Sequence, residues 1–185
     1  PKASESDRKR HRQETRQRMI SLQGCERLEA LRERTDSKRC IWATVDGRFT
    51  NKTVLKNLPD NTVLIGRIRK DAKLYGVPDA NPRARGRRRV YGDPLPTPEE
   101  LRQDESVPWQ LVEATACGKT HEFRVKTLDA VRWKAAGEQT LRLLVIAPLR
   151  YQKTKTAKPL YRQPAYILCT NPAIPLEELL QAYIW

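Results

Sequence analysis

The chain has 185 residues, enough for one hydrophobic core, or for one core with an inserted subdomain. Its 36 Lys and Arg against 22 Asp and Glu leave a net charge of +14, which favours a polyanionic partner, nucleic acid above all. Four separated cysteines (Cys25, Cys40, Cys117, Cys169) without a C-x-x-C pair, and only two histidines (His11, His121), argue against structural zinc. They suit reduced core or near-core thiols in a cytoplasmic protein. No apolar run has the length of a membrane span, and the first residues lack the apolar segment of a signal peptide.

Residues 1–14 are strongly polar and read as a frayed start. From Thr15 to Arg34 the spacing predicts an amphipathic helix, its Leu22, Cys25, Leu28 and Leu31 turned toward a sheet and its arginines solvated. Thr35-Asp36-Ser37 ends it. Ile41 to Val45, with only Thr44 polar, then reads as a buried strand. Asp46 stands where that strand ends, and Gly47 lets the chain turn.

Thr50 or Asn51 can cap a short helix through Leu58, which Pro59-Asp60-Asn61 breaks before a second strand, Val63 to Ile68. Strand, helix and strand in this order favour a parallel pair with a right-handed crossover. Sites in open α/β sheets form beyond the carboxyl ends of strands, which is where Asp46 stands. An aspartate at a turn is equally a turn former.

Beyond the second strand the character changes. Arg67, Arg69, Lys70, Lys73, Arg83, Arg85, Arg87, Arg88 and Arg89 crowd between Gly66 and Tyr91, opposed only by Asp71 and Asp79. Pro78, Pro82, Gly76 and Gly86 make this a loop. Guanidinium groups match phosphates, so the loop is expected to contact a DNA backbone. Thr97-Pro98-Glu99-Glu100 can cap a short helix in the Pro-bounded linker that follows.

Three strands are expected next: Trp109 to Ala116, His121 to Leu128, and Leu141 to Ala147. The second should turn Phe123 and Val125 to one face and Arg124 and Lys126 to the other. The third should be buried on both sides. A second basic loop between Leu149 and Gln163 carries Arg150, Lys153, Lys155, Lys158 and Arg162 without an acid. Ala165 to Thr170 is one more strand. Pro175 opens a last helix with Glu177 and Glu178 in its first turn. That helix stays apolar to Trp185 without a stop signal, as a truncated chain would.

G-x-G-x-x-G, P-loop and G-x-S-x-G motifs are all absent, which leaves metal-assisted phosphoryl chemistry by carboxylates. Two Mg²⁺ ions about 3.5–4 Å apart need at least two or three carboxylates.

The segments VDGRFTNKTVL (45–55), LIGRIRKDAKLY (64–75), GRRRVYG (86–92) and YILCTNPAIPLEELLQAYIW (166–185) resemble insertion-sequence transposases of the DDE class. The likeness runs from about Arg39 on. It is specific across Asp46–Tyr75 and at the tail, and weak in residues 1–38 and in the intervening strands.

The resemblance implies an α/β fold: a partial ribonuclease-H-like core with a β-rich insertion, in which the strand ending at Asp46 is central. Residues 1–75 would form a core segment, 76–163 the basic loop and insertion, and 164–185 the return strand and the start of a catalytic helix. In this family three carboxylates hold two Mg²⁺ or Mn²⁺ ions for DNA cleavage and strand transfer. Asp46 matches the second carboxylate, and Tyr183 the Tyr of a Tyr-Arg-Glu-Lys signature. Transposon-end and target DNA are the implied partners, with a homo-oligomer in the complete enzyme and a bacterial, nucleoid-associated location.

The Arg and Glu expected beyond Tyr183 and the first Asp have no match, since Asp7 and Asp36 lie in the wrong context. The expectation is therefore an internal fragment, inactive alone and not holding metal stably. A non-catalytic basic DNA-binding remnant is the alternative. An unrelated RNA-binding or ribosome-associated protein is allowed by the charge, but the chain lacks the aromatic and glycine signatures of the common RNA modules.

Overall fold

The computed structural model describes residues 4–17, 19–79, 88–116, 118–151, 158 and 160–184, with Arg12, Arg16, Gln17 and Tyr151 described by backbone alone. Two helices come first, α1 (Glu5–Gln17) and α2 (Ile20–Arg34). The start is thus helical where the polar composition suggested fraying. Polar on all sides, α1 offers no apolar period to read. It carries Glu5 and Asp7 in its first turn and the one-turn ion pairs Lys9–Glu5 and Arg10–Asp7.

The face expected of α2 is only partly used: Cys25 is buried, but Leu31 is exposed. The helix packs on α3 (Lys52–Lys56) and reaches the core through Cys25. Among the other thiols Cys169 is buried, while Cys40 is exposed rather than near the core. Cys117 lies outside the described residues.

The strands are β1 (Ile41–Val45), β2 (Thr62–Arg67), β3 (Leu74–Gly76), β4 (Pro94–Leu95), β5 (Gln110–Ala116), β6 (Lys119–Trp133), β7 (Leu141–Ile146), β8 (Arg150–Tyr151), β9 (Leu160–Tyr161) and β10 (Ala165–Cys169). Helix α4 (Pro98–Gln103) precedes β5, and α5 (Leu176–Ile184) follows β10. One sheet runs β1-β2-β10-β7-β6-β3-β4, with β5 added on β6, and β8–β9 form a separate hairpin.

The chain is therefore mixed α/β with a mostly antiparallel sheet. Among the described strands the single parallel pair is β1 with β2, as the strand–helix–strand order predicts, with Ile41 opposite Thr62 and Val45 opposite Gly66. The expected central place of β1 is not met. It ends the sheet among the described strands, because the second side of β2 is taken by β10, with Ile65 opposite Cys169.

Both faces of the sheet middle are covered. Ile65, Leu144, Ile146 and Ile167 lie under Leu179 and Leu180 of α5. Leu64 and Leu168 meet Val54 and Leu55 of α3, and Leu143 and Val145 meet Leu101 of α4. Residues of β2 alternate between the α5 and α3 sides, as a pleated strand buried on both faces must.

Helix α4 begins with the expected capping box, Thr97 Oγ1 accepting from Glu100 N and Glu100 Oε2 from Thr97 N. One reading is corrected here. Strand β6 runs five residues past Leu128, through a bulge at which Ala130 has φ +54°. Lys126 lies on the face opposite Phe123 and Val125, as expected, and there it is 1% exposed. Its Nζ donates to the carbonyls of Leu101 (3.1 Å), Arg102 (3.3 Å) and Asp104 (2.5 Å), beside the Trp109 ring at 4.6 Å. The ammonium closes the carboxyl end of α4, whose last carbonyls would otherwise be orphaned.

Candidate nucleic-acid interface

Asp46 leaves β1 into a tight turn. Its Oδ1 accepts from the backbone N–H of Arg48 (2.9 Å) and of Phe49 (3.3 Å). Its carbonyl accepts from Thr50 N (3.2 Å) and Thr50 Oγ1 (3.1 Å). Thr50 is 5% exposed and rests on Gly66 of β2, where a Cβ would stand 2.1 Å from its Oγ1. Of the two caps the sequence allows, Asn51 is used. Its Oδ1 accepts from Thr53 N (2.9 Å) and Val54 N (3.1 Å), and its Nδ2 donates to Ser21 of α2 (2.8 Å).

The Asp46 turn opens into a cavity of about 670 Å³ shared with Arg67, Arg69, Asp71 and Trp133. The strand-end aspartate and the first two arginines of the basic segment therefore meet in one place. Asp71 is committed to Arg69, whose Nε and Nη2 donate to its two carboxylate oxygens at 2.8 and 2.9 Å. That bond holds the Asp71 carboxyl below the usual range and pushes Arg69 up. Asp46 is thus the carboxylate of the cavity not tied to an arginine there, with one oxygen engaged by its own turn. Among the described residues no group of three His, Cys, Asp or Glu side chains could hold a metal ion. The donor set of this cavity does not by itself fit two divalent cations.

The remaining expected contacts are spread out. Lys70 and Lys73 follow in the turn before β3, and the Lys70 carbonyl accepts from Glu99 N of α4 at 3.0 Å. Arg89 pairs with Asp93 at 2.9 Å, beside Arg88. Arg150 stands on β8, and Lys158 is exposed. Arg83, Arg85, Arg87, Lys153 and Lys155 lie outside the described residues.

Tyr183 lies on α5, where burial pushes its phenol up and Arg67 opposes the shift. It lines a second cavity of about 670 Å³ with Arg67, Arg150, Arg162 and His121, so Arg67 borders both cavities. Sequence reasoning missed Trp133, which the underestimated length of β6 hid. It also passed over His121, which carries no motif around it.

No protein-family model, curated protein or solved structure matches the chain. Among the described residues no helix is long and apolar enough to cross a membrane.

Proposed function

We propose that this chain is a segment of a DDE-class transposase, which cuts DNA and transfers strands with divalent metal ions. Its share of the work is to supply Asp46 and to hold DNA phosphates beside it. The observation that carries this reading is the β1–α3–β2 unit. A parallel pair with a helical crossover puts Asp46 at the carboxyl end of β1, in a cavity with Arg67 from the carboxyl end of β2. Ligands of open α/β sheets bind at such ends, and a ribonuclease-H-like core with a β-rich insertion calls for the same unit.

In this reading Asp46 is one ligand of a Mg²⁺ or Mn²⁺ centre completed by carboxylates this chain does not contribute. The chain is then inactive alone. The metal, when bound, would activate the attacking oxygen and stabilise the leaving one. What the chain itself supplies is charge and position. Arg67 and Arg69 share the cavity with Asp46, and Lys70, Lys73, Arg88, Arg89, Arg150 and Lys158 are the further phosphate contacts of this reading. Transposon-end and target DNA are the partners, and the complete enzyme works as a homo-oligomer.

A second reading, a non-catalytic basic DNA-binding protein, is favoured by one observation: Asp46 Oδ1 is already engaged in shaping its own turn.

DNA affinity, measured by fluorescence anisotropy between about 50 and 200 mM salt, tests what the two readings share. Binding should fall steeply with salt. Joint replacement of Arg67, Arg69 and Lys70 by Ala should flatten the log–log slope by about 0.9 per lost phosphate contact. An unchanged slope removes this surface from the proposal. Nicking of DNA by the chain alone with Mg²⁺ would overturn its assignment as inactive alone.

A further inference from the structure

We infer that the sheet face carrying Tyr75, Tyr91, Arg132 and Lys134 binds single-stranded nucleic acid. This goes beyond the proposed function, since it is not the face that bears the Asp46 cavity. Leu74 pairs with Trp133, which lines that cavity, whereas Tyr75 pairs with Arg132 and points with it to the other side. Lys134, two residues on, shares that side, with its Nζ 5.2 Å from the centre of the Tyr75 ring. Unbroken alternation would have set Arg132 on the α4 side with Lys126; the extra residue at the β6 bulge reverses it.

Arg132 is the residue that calls for an anion. It is 8% exposed, its Nη1 donates to the Val90 carbonyl at 2.7 Å, and its Nε finds no hydrogen-bond partner among the described residues. Among those residues no carboxylate forms an ion pair with it, and none of the remaining residues is Asp or Glu. Asp93, the acid of the adjoining segment, is taken by Arg89 at 2.9 Å. A buried cation left in this state is costly. Its field is also screened less than that of a surface charge, so it attracts a phosphate held at the surface without touching it.

Bases have a place on the same face. Tyr91 packs on Tyr75 with ring centroids 5.5 Å apart and planes tilted by 51°, and both residues are half-buried beside the exposed Lys134. Gly92 N donates to the Gly76 carbonyl (2.8 Å) and Gly76 N to the Asp93 carbonyl (2.9 Å), which fixes the segment bearing Tyr91 against β3. The four side chains are thus brought together by stated contacts rather than by composition. Paired rings flanked by cations suit a single strand, whose unstacked bases lie on aromatic faces while its phosphates meet the charges. A duplex keeps its bases stacked inside, and an anionic lipid surface has none.

Fluorescence anisotropy on the whole chain tests this with a labelled single-stranded oligonucleotide, the matching duplex, and heparin, a polyanion without bases. Tyr91→Leu should weaken single-strand binding about tenfold and leave duplex and heparin binding unchanged, whereas Tyr91→Phe, which keeps the ring, should bind like the wild type. Lys134→Ala, at an exposed position, should weaken single-strand binding and flatten its log–log salt slope by about 0.7. Arg132→Met should weaken it as well, yet melt at or above the wild-type temperature, because an uncompensated buried charge has gone. Single-strand affinity unchanged in these variants, or a Tyr91→Leu loss that is equal for duplex or heparin, would overturn the inference. So would an Arg132→Met chain that melts lower and binds the strand as before, since the guanidinium would then serve the fold alone.

Discussion

Gly66 decides whether the Asp46 turn can sit where it does. It lies in β2 opposite Val45, beneath Thr50. A Cβ at this position would come 2.1 Å from Thr50 Oγ1, 2.8 Å from Val45 Cγ2 and 3.1 Å from Leu64 Cδ2. Thr50 cannot swing aside freely, since it is 5% exposed and its hydroxyl donates to the Asp46 carbonyl at 3.1 Å. Surrendering that bond costs about 1 kcal/mol, and overpacking adds about 1–3 kcal/mol. Gly66→Ala should therefore destabilise the chain by about 3 kcal/mol, a fall in Tm of about 6–12 °C for this size. Urea unfolding followed by circular dichroism should show a lower midpoint at unchanged slope. Adding Thr50→Ala removes the nearest clash, so the double variant should be more stable than the sum of the single effects by about 1 kcal/mol. A Gly66→Ala chain that melts with the wild type, or two strictly additive costs, would refute this account of the turn.

Two further predictions concern the polar groups that hold α4 against the sheet. Lys126→Met removes charge-assisted bonds to the carbonyls of Leu101, Arg102 and Asp104. It should cost about 2–3 kcal/mol and shift the emission of neighbouring Trp109, and an equally stable variant would show that the ammonium contributes nothing. Glu99 accepts from Arg102, and also from Tyr166 and Gln103, and its carboxyl is held down at about 2 against an ordinary 4.5. As the folded state resists protonation longer than the unfolded one, this stabilisation is complete above about 4.5 and is lost as pH falls through about 2. Acid titrations of stability should show that limb in the wild type and lose it in Glu99→Gln, and coincident curves would contradict the assignment. Burial and the Glu99 bond push the Tyr166 phenol up to about 12, so its share is complete below its ordinary 10.0 and is lost as pH rises through about 12.

The unit most legible in the sequence was the one that carries Asp46. Short β-branched runs, a capping Asn51 and the Pro59-Asp60-Asn61 break are local signals, and β1, α3 and β2 form where those signals stand. The α4 capping box and the doubly buried β7 were equally readable. What sequence could not give depended on neighbours. Alternation put Lys126 on the face opposite Phe123 and Val125, but not under α4, which covers that face and whose unpaired carbonyls make the buried ammonium favourable. The polar α1 has no apolar stripe to betray it. The place of β1 at the sheet edge depends on β10, more than a hundred residues away. At the site, Asp46 and Arg67 were named from local context, whereas their sharing a cavity with Trp133 required the fold.

The central claim is that Asp46 is a metal ligand for DNA cleavage. The most direct test is made on a longer chain that carries the two further carboxylates the proposal calls for. Cleavage of supercoiled DNA with Mg²⁺ or Mn²⁺ is then measured for the wild type and for Asp46→Asn. The account predicts metal-dependent cleavage that Asp46→Asn abolishes while DNA affinity stays the same. Equal cleavage by both proteins, or none by either, would contradict it.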